Sequence, residues 1–170
     1  MKVAELRLPA TDAVSRGVAY GSALAAPIHE TIALYRHAYA VMGVPDGVAS
    51  SVVDASIDAV RAWAPAIAAE LDGVAHGADV PLAELMLLTA RTEILAHTPT
   101  AKALECSTIV ALHEDRRPMT MQTWDWHGEL APTGVLLEVP LSGRVVRTFT
   151  ETGMVGKIGV ARTADGRGLG

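Results

Sequence analysis

The chain has one cysteine, Cys106, and it stands where the sequence changes character. Before Leu104-Glu105-Cys106-Ser107-Thr108-Ile109-Val110 the pattern is helical; after it come short strands. A thiol that opens a β-strand just after a loop is well placed to become an N-terminal nucleophile. Cleavage between Glu105 and Cys106 would give it a free α-amine on the same residue. That amine has a reference pKa of about 7.7–8.0 and can act as a general base near neutral pH. One residue would then supply both nucleophile and base, as in the threonine/N-terminal-amine pair. The competing reading is an inert, small, buried hydrophobe, which is the commoner fate of a free cysteine.

The second stretch that could do chemistry is Met121-Gln122-Thr123-Trp124-Asp125-Trp126-His127. On a strand, Trp124 and Trp126 point one way while Asp125 and His127 point the other. The Asp125/His127 face could approach Cys106 on a partner strand, where a carboxylate would orient an ammonium or an imidazole. The plainer alternative is a satisfied, half-buried Asp125 and a turn residue at His127. His127 is also an alternative base: Cys106, His127 and Asp125 would make a papain-style pair with an orienting acid and need no cleavage. None of the histidines has the HExxH spacing, which argues against a metal site. Gly153-Met154-Val155-Gly156-Lys157-Ile158-Gly159 lacks the P-loop order and reads as backbone that something approaches closely. Arg91 and Glu93, two apart near a helix end, cannot face each other and read as surface charges.

These residues need elements to hold them. Val3 to Leu8 alternates with a period of two and reads as a strand that Pro9 ends. An Ala-rich helix is expected from about Val14 to Met42, with Ile28, Ile32, Tyr35 and Tyr39 forming an apolar stripe and Pro27 kinking or dividing it. Gly43 to Gly47 is a break, followed by a helix carrying Val48, Val52, Val53, Ile57 and Val60. Pro65 starts or bends a helical stretch through Ile67 and Leu71. Glu70 to Pro81 reads as a glycine-punctuated turn, and Pro81 opens a helix from Leu82 to about Leu95. Strands are expected over Cys106–Leu112, Met119–Trp126, Thr133–Leu141, Arg144–Thr150 and Met154–Val160, the first four as two hairpins. Helices followed by a meander of strands predict an α+β layered fold in one structural domain, with a helical segment 1–105 and a β segment 106–170.

Composition bounds the function. Half of the 170 residues are apolar, enough for a sizeable core, and only seven are aromatic. Residues 1–105 hold 7 Lys+Arg against 12 Asp+Glu, and residues 106–170 hold 7 of each, which accounts for the net −5. No basic stripe invites nucleic acid. No signal-peptide run and no membrane-length apolar run is present, so a cytoplasmic location is the expectation. One cysteine excludes an internal disulfide framework.

Five stretches in order carry a resemblance: Leu71-Asp72-Gly73-Val74-Ala75-His76-Gly77-Ala78; Leu88-Thr89-Ala90-Arg91-Thr92-Glu93-Ile94; Glu105-Cys106-Ser107-Thr108; Gln122-Thr123-Trp124-Asp125-Trp126; and Thr150-Glu151-Thr152-Gly153-Met154-Val155-Gly156-Lys157-Ile158-Gly159. Together they resemble the acyl-coenzyme A:6-aminopenicillanic-acid acyltransferase family, also called isopenicillin N acyltransferase-like proteins. The resemblance implies an N-terminal-nucleophile hydrolase with an αββα sandwich, cut by itself between Glu105 and Cys106. It implies acyl transfer or hydrolysis on a small-molecule amide or acyl-thioester, with no metal, cofactor or prosthetic group. Cys106 matches the nucleophile and Asp125 a nearby family aspartate; Ser107, Arg91 and Glu93 are the residues expected at the oxyanion site or in its support. Family members are about twice as long, so the chain reads as a front half whose partner is the missing C-terminal half, with self-association into homo-oligomers a further expectation. The family usually has Asn where this chain has Thr89 and Thr123, and often reads Asn-Ser-Ala-Gly where this chain has Ala161-Arg162-Thr163-Ala164; these departures motivate the rival reading of a non-enzymatic fragment or degenerate relative.

Overall fold

The computed structural model describes residues 3–98, 106–115, 119–126, 128–141, 143–163 and 168–169. The order is β1 (Ala4–Arg7), α1 (Ala13–Ala23), α2 (Ala25–Val41), α3 (Asp46–Trp63), α4 (Pro65–Ala78), α5 (Leu82–Thr89), α6 (Arg91–Leu95), β2 (Thr108–Ala111), β3 (Met119–Gln122), a 3-10 helix (Gly128–Thr133), β4 (Gly134–Leu141), β5 (Arg144–Glu151), β6 (Ile158–Thr163) and β7 (Gly168–Leu169). This is a mixed α+β architecture, as expected from the pattern.

Local chemistry explains the helix ends. Asp12 caps α1 by accepting from the Ser15 backbone N–H at 2.9 Å, which holds its carboxyl down at about 2. The long helix divides at Leu24, and Pro27 falls in the first turn of α2, where a missing N–H costs nothing. Pro65 likewise opens α4. The expected helix from Leu82 is interrupted at Ala90 and resumes at Arg91.

The stretch read as a turn, Glu70 to Pro81, is instead the second half of α4, which runs to Ala78. Its glycines are packing residues rather than turn residues. A Cβ on Gly73 would lie 2.3 Å from the Val14 carbonyl oxygen, and one on Gly17 2.1 Å from that of Glu70. With Gly21 and Gly77 in equivalent positions one turn on, α1 and α4 meet backbone to backbone. Beside this contact the buried guanidinium of Arg16 holds both carboxylate oxygens of Glu70, at 2.9 and 2.5 Å.

Among the described residues five strands form one sheet in the order β1-β4-β5-β6-β7. β1 runs parallel to β4, with Leu6 opposite Leu137; every other pairing is antiparallel. Val135, Leu137 and Val139 alternate inward along β4 and join Ile28, Leu85 and Leu88 in the core, so the helices cover one face. The fifth expected strand begins later than its sequence suggested, at Ile158, because residues 152–157 turn. β2 and β3 form a separate two-stranded hairpin, and β3 stops at Gln122 rather than Trp126.

Candidate functional site

The hairpin sets Cys106. β2 and β3 pair with Thr108 opposite Gln122 and Val110 opposite Thr120. Beyond the ladder the pairing continues by one residue. The Thr123 N–H donates to the Ser107 carbonyl at 2.9 Å, and the Ser107 N–H donates to Thr123 Oγ1 at 3.0 Å. Cys106 is thus one residue, and Asp125 two, from a doubly tied cross-strand pair at the same end of the hairpin. Both are exposed. The buried-hydrophobe reading of Cys106 does not describe this thiol. Ser107 brings an N–H that Thr123 already engages. Glu105 and His127 lie outside the described residues.

The two tryptophans that flank Asp125 are half-buried while Asp125 is exposed, although β3 has ended at Gln122 and no strand alternation sets them. Trp124 meets Phe149 edge-on at 4.9 Å. Its ring also carries the Lys157 ammonium at 3.7 Å, and that ammonium lies 5.6 Å from the Trp126 ring. Trp126 faces the Arg91 guanidinium at 4.8 Å and donates its Nε1–H to the Tyr35 hydroxyl at 3.1 Å.

Beneath them sits Glu151, the last residue of β5, with no exposed surface. Its Oε1 accepts from the Tyr35 hydroxyl at 2.7 Å and from Thr133 Oγ1 at 3.5 Å. Its Oε2 lies 3.3 Å from Arg91 Nη1 and 3.7 Å from Lys157 Nζ. Burial pushes the carboxyl above the usual glutamate range, against the pull of the Tyr35 hydrogen bond and the Arg91 charge. Tyr35 is pushed up as well, first by burial and then by the Glu151 charge.

The reading of Arg91 as a surface charge is corrected: it is buried, and its partners are Glu151, Trp126 and the Met154 sulfur at 3.2 Å. Glu93 is exposed and is not among the groups that touch Glu151. The glycine-rich stretch after β5 does admit close approach. Gly153, at φ +97°, donates its N–H to the Tyr20 hydroxyl at 2.9 Å, and a Cβ there would lie 2.8 Å from the Leu88 side chain. Thr152 and Thr31 share a short hydroxyl contact below it.

Sequence reasoning passed over Glu151, Tyr35 and Lys157 as site residues. A visible signal was Glu151, the carboxylate that ends an otherwise uncharged run, Thr148-Phe149-Thr150. Among the described residues no group of three or more His, Cys, Asp or Glu could hold a metal ion. No helix among them is long and apolar enough to cross a membrane. The arrangement offers an exposed thiol, a carboxylate at the same hairpin end, and a buried ionic cluster that anchors the segment bearing that carboxylate. No family model and no curated protein matches the chain.

Proposed function

We propose that the chain is a self-processing cysteine acyltransferase or amidohydrolase of the N-terminal-nucleophile type. The observation that carries this reading is the Ser107–Thr123 tie, which sets an exposed Cys106 and Asp125 at one hairpin end. In processing, the Cys106 thiol adds to the Glu105 carbonyl and the peptide C–N bond breaks, leaving a thioester and a free α-amine. Water then hydrolyses the thioester and restores the thiol. In turnover the α-amine takes the thiol proton and the sulfur adds to an amide or thioester carbonyl of a small molecule. The tetrahedral species collapses with transfer of that proton to the leaving group. The acyl group passes from sulfur to water or to an amine. Asp125 orients the ammonium in both half-reactions. The αββα sandwich is part of the same proposal, and it is supported by Trp124 packing on Phe149. Phe149 lies opposite Leu136 in the register, on the alternate face from the helix-covered Leu137.

The test is intact mass of wild type, Cys106→Ala and Cys106→Ser after expression, with acyl release from an amide substrate measured in parallel. Wild type is expected as two pieces divided at 105/106. The Ala variant should stay whole and inactive, and the Ser variant should process slowly while losing more turnover, because a hydroxyl holds its proton more tightly. An uncut, active wild type, or an Ala variant that still turns over, refutes the proposal.

A further inference from the structure

A cavity of about 290 Å³ opens between α2, α3 and α5, near the lower end of volumes that take small organic ligands. Its apolar surface comes from Tyr39, Val53 and Leu87, with alanines between them. Its rim is charged and unbalanced: Asp46, Asp54 and Glu84 stand against the single guanidinium of Arg36, a balance of −2. That guanidinium is already committed. Arg36 Nε donates to Glu84 Oε2 at 2.8 Å and a second arm reaches Oε1. Asp46 and Asp54 remain exposed on the α3 side, and neither forms an ion pair with a Lys or Arg among the described residues. An anionic ligand would meet surplus negative charge and no free cation, whereas an organic cation would meet complementary charge over an apolar floor.

We propose that this cavity is a binding site for a small aryl- or alkyl-ammonium molecule, its ammonium at the α3 carboxylates and its apolar body on Tyr39, Val53 and Leu87. The site does not depend on the chemistry assigned to Cys106. Tyr39 nevertheless meets Tyr35 edge-on at 5.9 Å, and Tyr35 donates to Glu151, so the occupant would rest two side chains from the buried carboxylate.

The experiment is amide NMR of the isotopically labelled full chain, titrated separately with phenethylammonium, phenethyl alcohol and hydrocinnamate. These probes share one body and differ in head-group charge. Phenethylammonium is expected to move the amides of Ala40, Ala49 and Leu87, and to bind at least about tenfold more tightly than the alcohol, with hydrocinnamate weakest. Asp46→Asn with Asp54→Asn should weaken phenethylammonium by about tenfold and leave the alcohol unchanged; both positions are exposed, so folding should survive. No response at those amides, equal affinity for the three probes, or an unchanged affinity in the double variant overturns the assignment.

Discussion

Replacing Arg91 by methionine tests whether Glu151 is held by charge. The substitution keeps an apolar stem beside Trp126 but removes the guanidinium 3.3 Å from Glu151 Oε2. Breaking one side of a buried ion pair costs about 3–5 kcal/mol, because the other charge stays buried. Lys157 remains 3.7 Å away, which favours the lower end. Loss of the contact over Trp126 costs about 0.5–1 kcal/mol more, and burying a methionine side chain returns at least as much. The expected loss is therefore about 3 kcal/mol at neutral pH, or a Tm lower by about 6–12 °C for a chain of this size. Urea unfolding of wild type, Arg91→Met, Glu151→Gln and the double variant completes the cycle. The coupling should be at least about 1.5 kcal/mol, since the double variant buries neither charge of the pair. A single-variant cost under about 0.5 kcal/mol, or additivity within that figure, would show that Arg91 does not stabilise the buried carboxylate.

The raised Glu151 carboxyl gives a pH test: its contribution is fully present below the ordinary glutamate pKa and is lost as pH rises through the higher folded value, so the stability of wild type relative to Glu151→Gln should fall with pH from the ordinary glutamate range upward. Calorimetry across that range checks it, and a flat difference counts against a raised pKa. Gly73→Ala should destabilise by about 2 kcal/mol or more, since its Cβ would meet the Val14 carbonyl oxygen at 2.3 Å. Gly47→Ala, in the open first turn of α3, should be neutral or stabilise by up to about 1 kcal/mol. Equal effects in thermal melts would mean that α1 and α4 are not in backbone contact. Asp125→Asn should leave the melt unchanged, because the residue is exposed, and should lower kcat/KM for acyl release by about 10²–10³; an unchanged rate removes Asp125 from the site.

Where the pattern was local, the sequence was readable. The alternation of Val3 to Leu8, the breaks before α3 and at Pro65, and the apolar stripe of α2 each depend on neighbours within a few residues; the break before α3 ends at Pro45, and Asp46 and Gly47 already belong to the helix. The α4 glycines were misread because a turn glycine and a packing glycine look alike until Gly17 and Gly21 are brought against Gly73 and Gly77 from more than fifty residues away. Arg91 was misread for the same kind of reason: its partners Trp126, Glu151 and Met154 all lie beyond the helical segment. Cys106 and Asp125 could be singled out from residue type alone. The hairpin that brings them to one end was also legible, from two β-branched runs about a turn; the end of its ladder at Gln122 and the Ser107–Thr123 tie beyond it were not, because they depend on a side-chain hydrogen bond that no spacing rule contains.

The parallel pairing of β1 with β4 joins residues some 130 positions apart, Leu6 to Leu137. It is the first strand of the helical segment, and the sheet it enters is otherwise built from residues after Cys106. Tyr20 on Gly153 and Met154, Tyr35 and Arg91 on Glu151, and Thr31 on Thr152 cross the same divide. The backbone bond at 105/106 is therefore not what keeps the two segments together. If it were cut, the pieces would run apart on a denaturing gel yet elute as one particle from a sizing column. Equally, the two segments produced as separate polypeptides should find each other through β1 and complete a common core, as complementing fragments do.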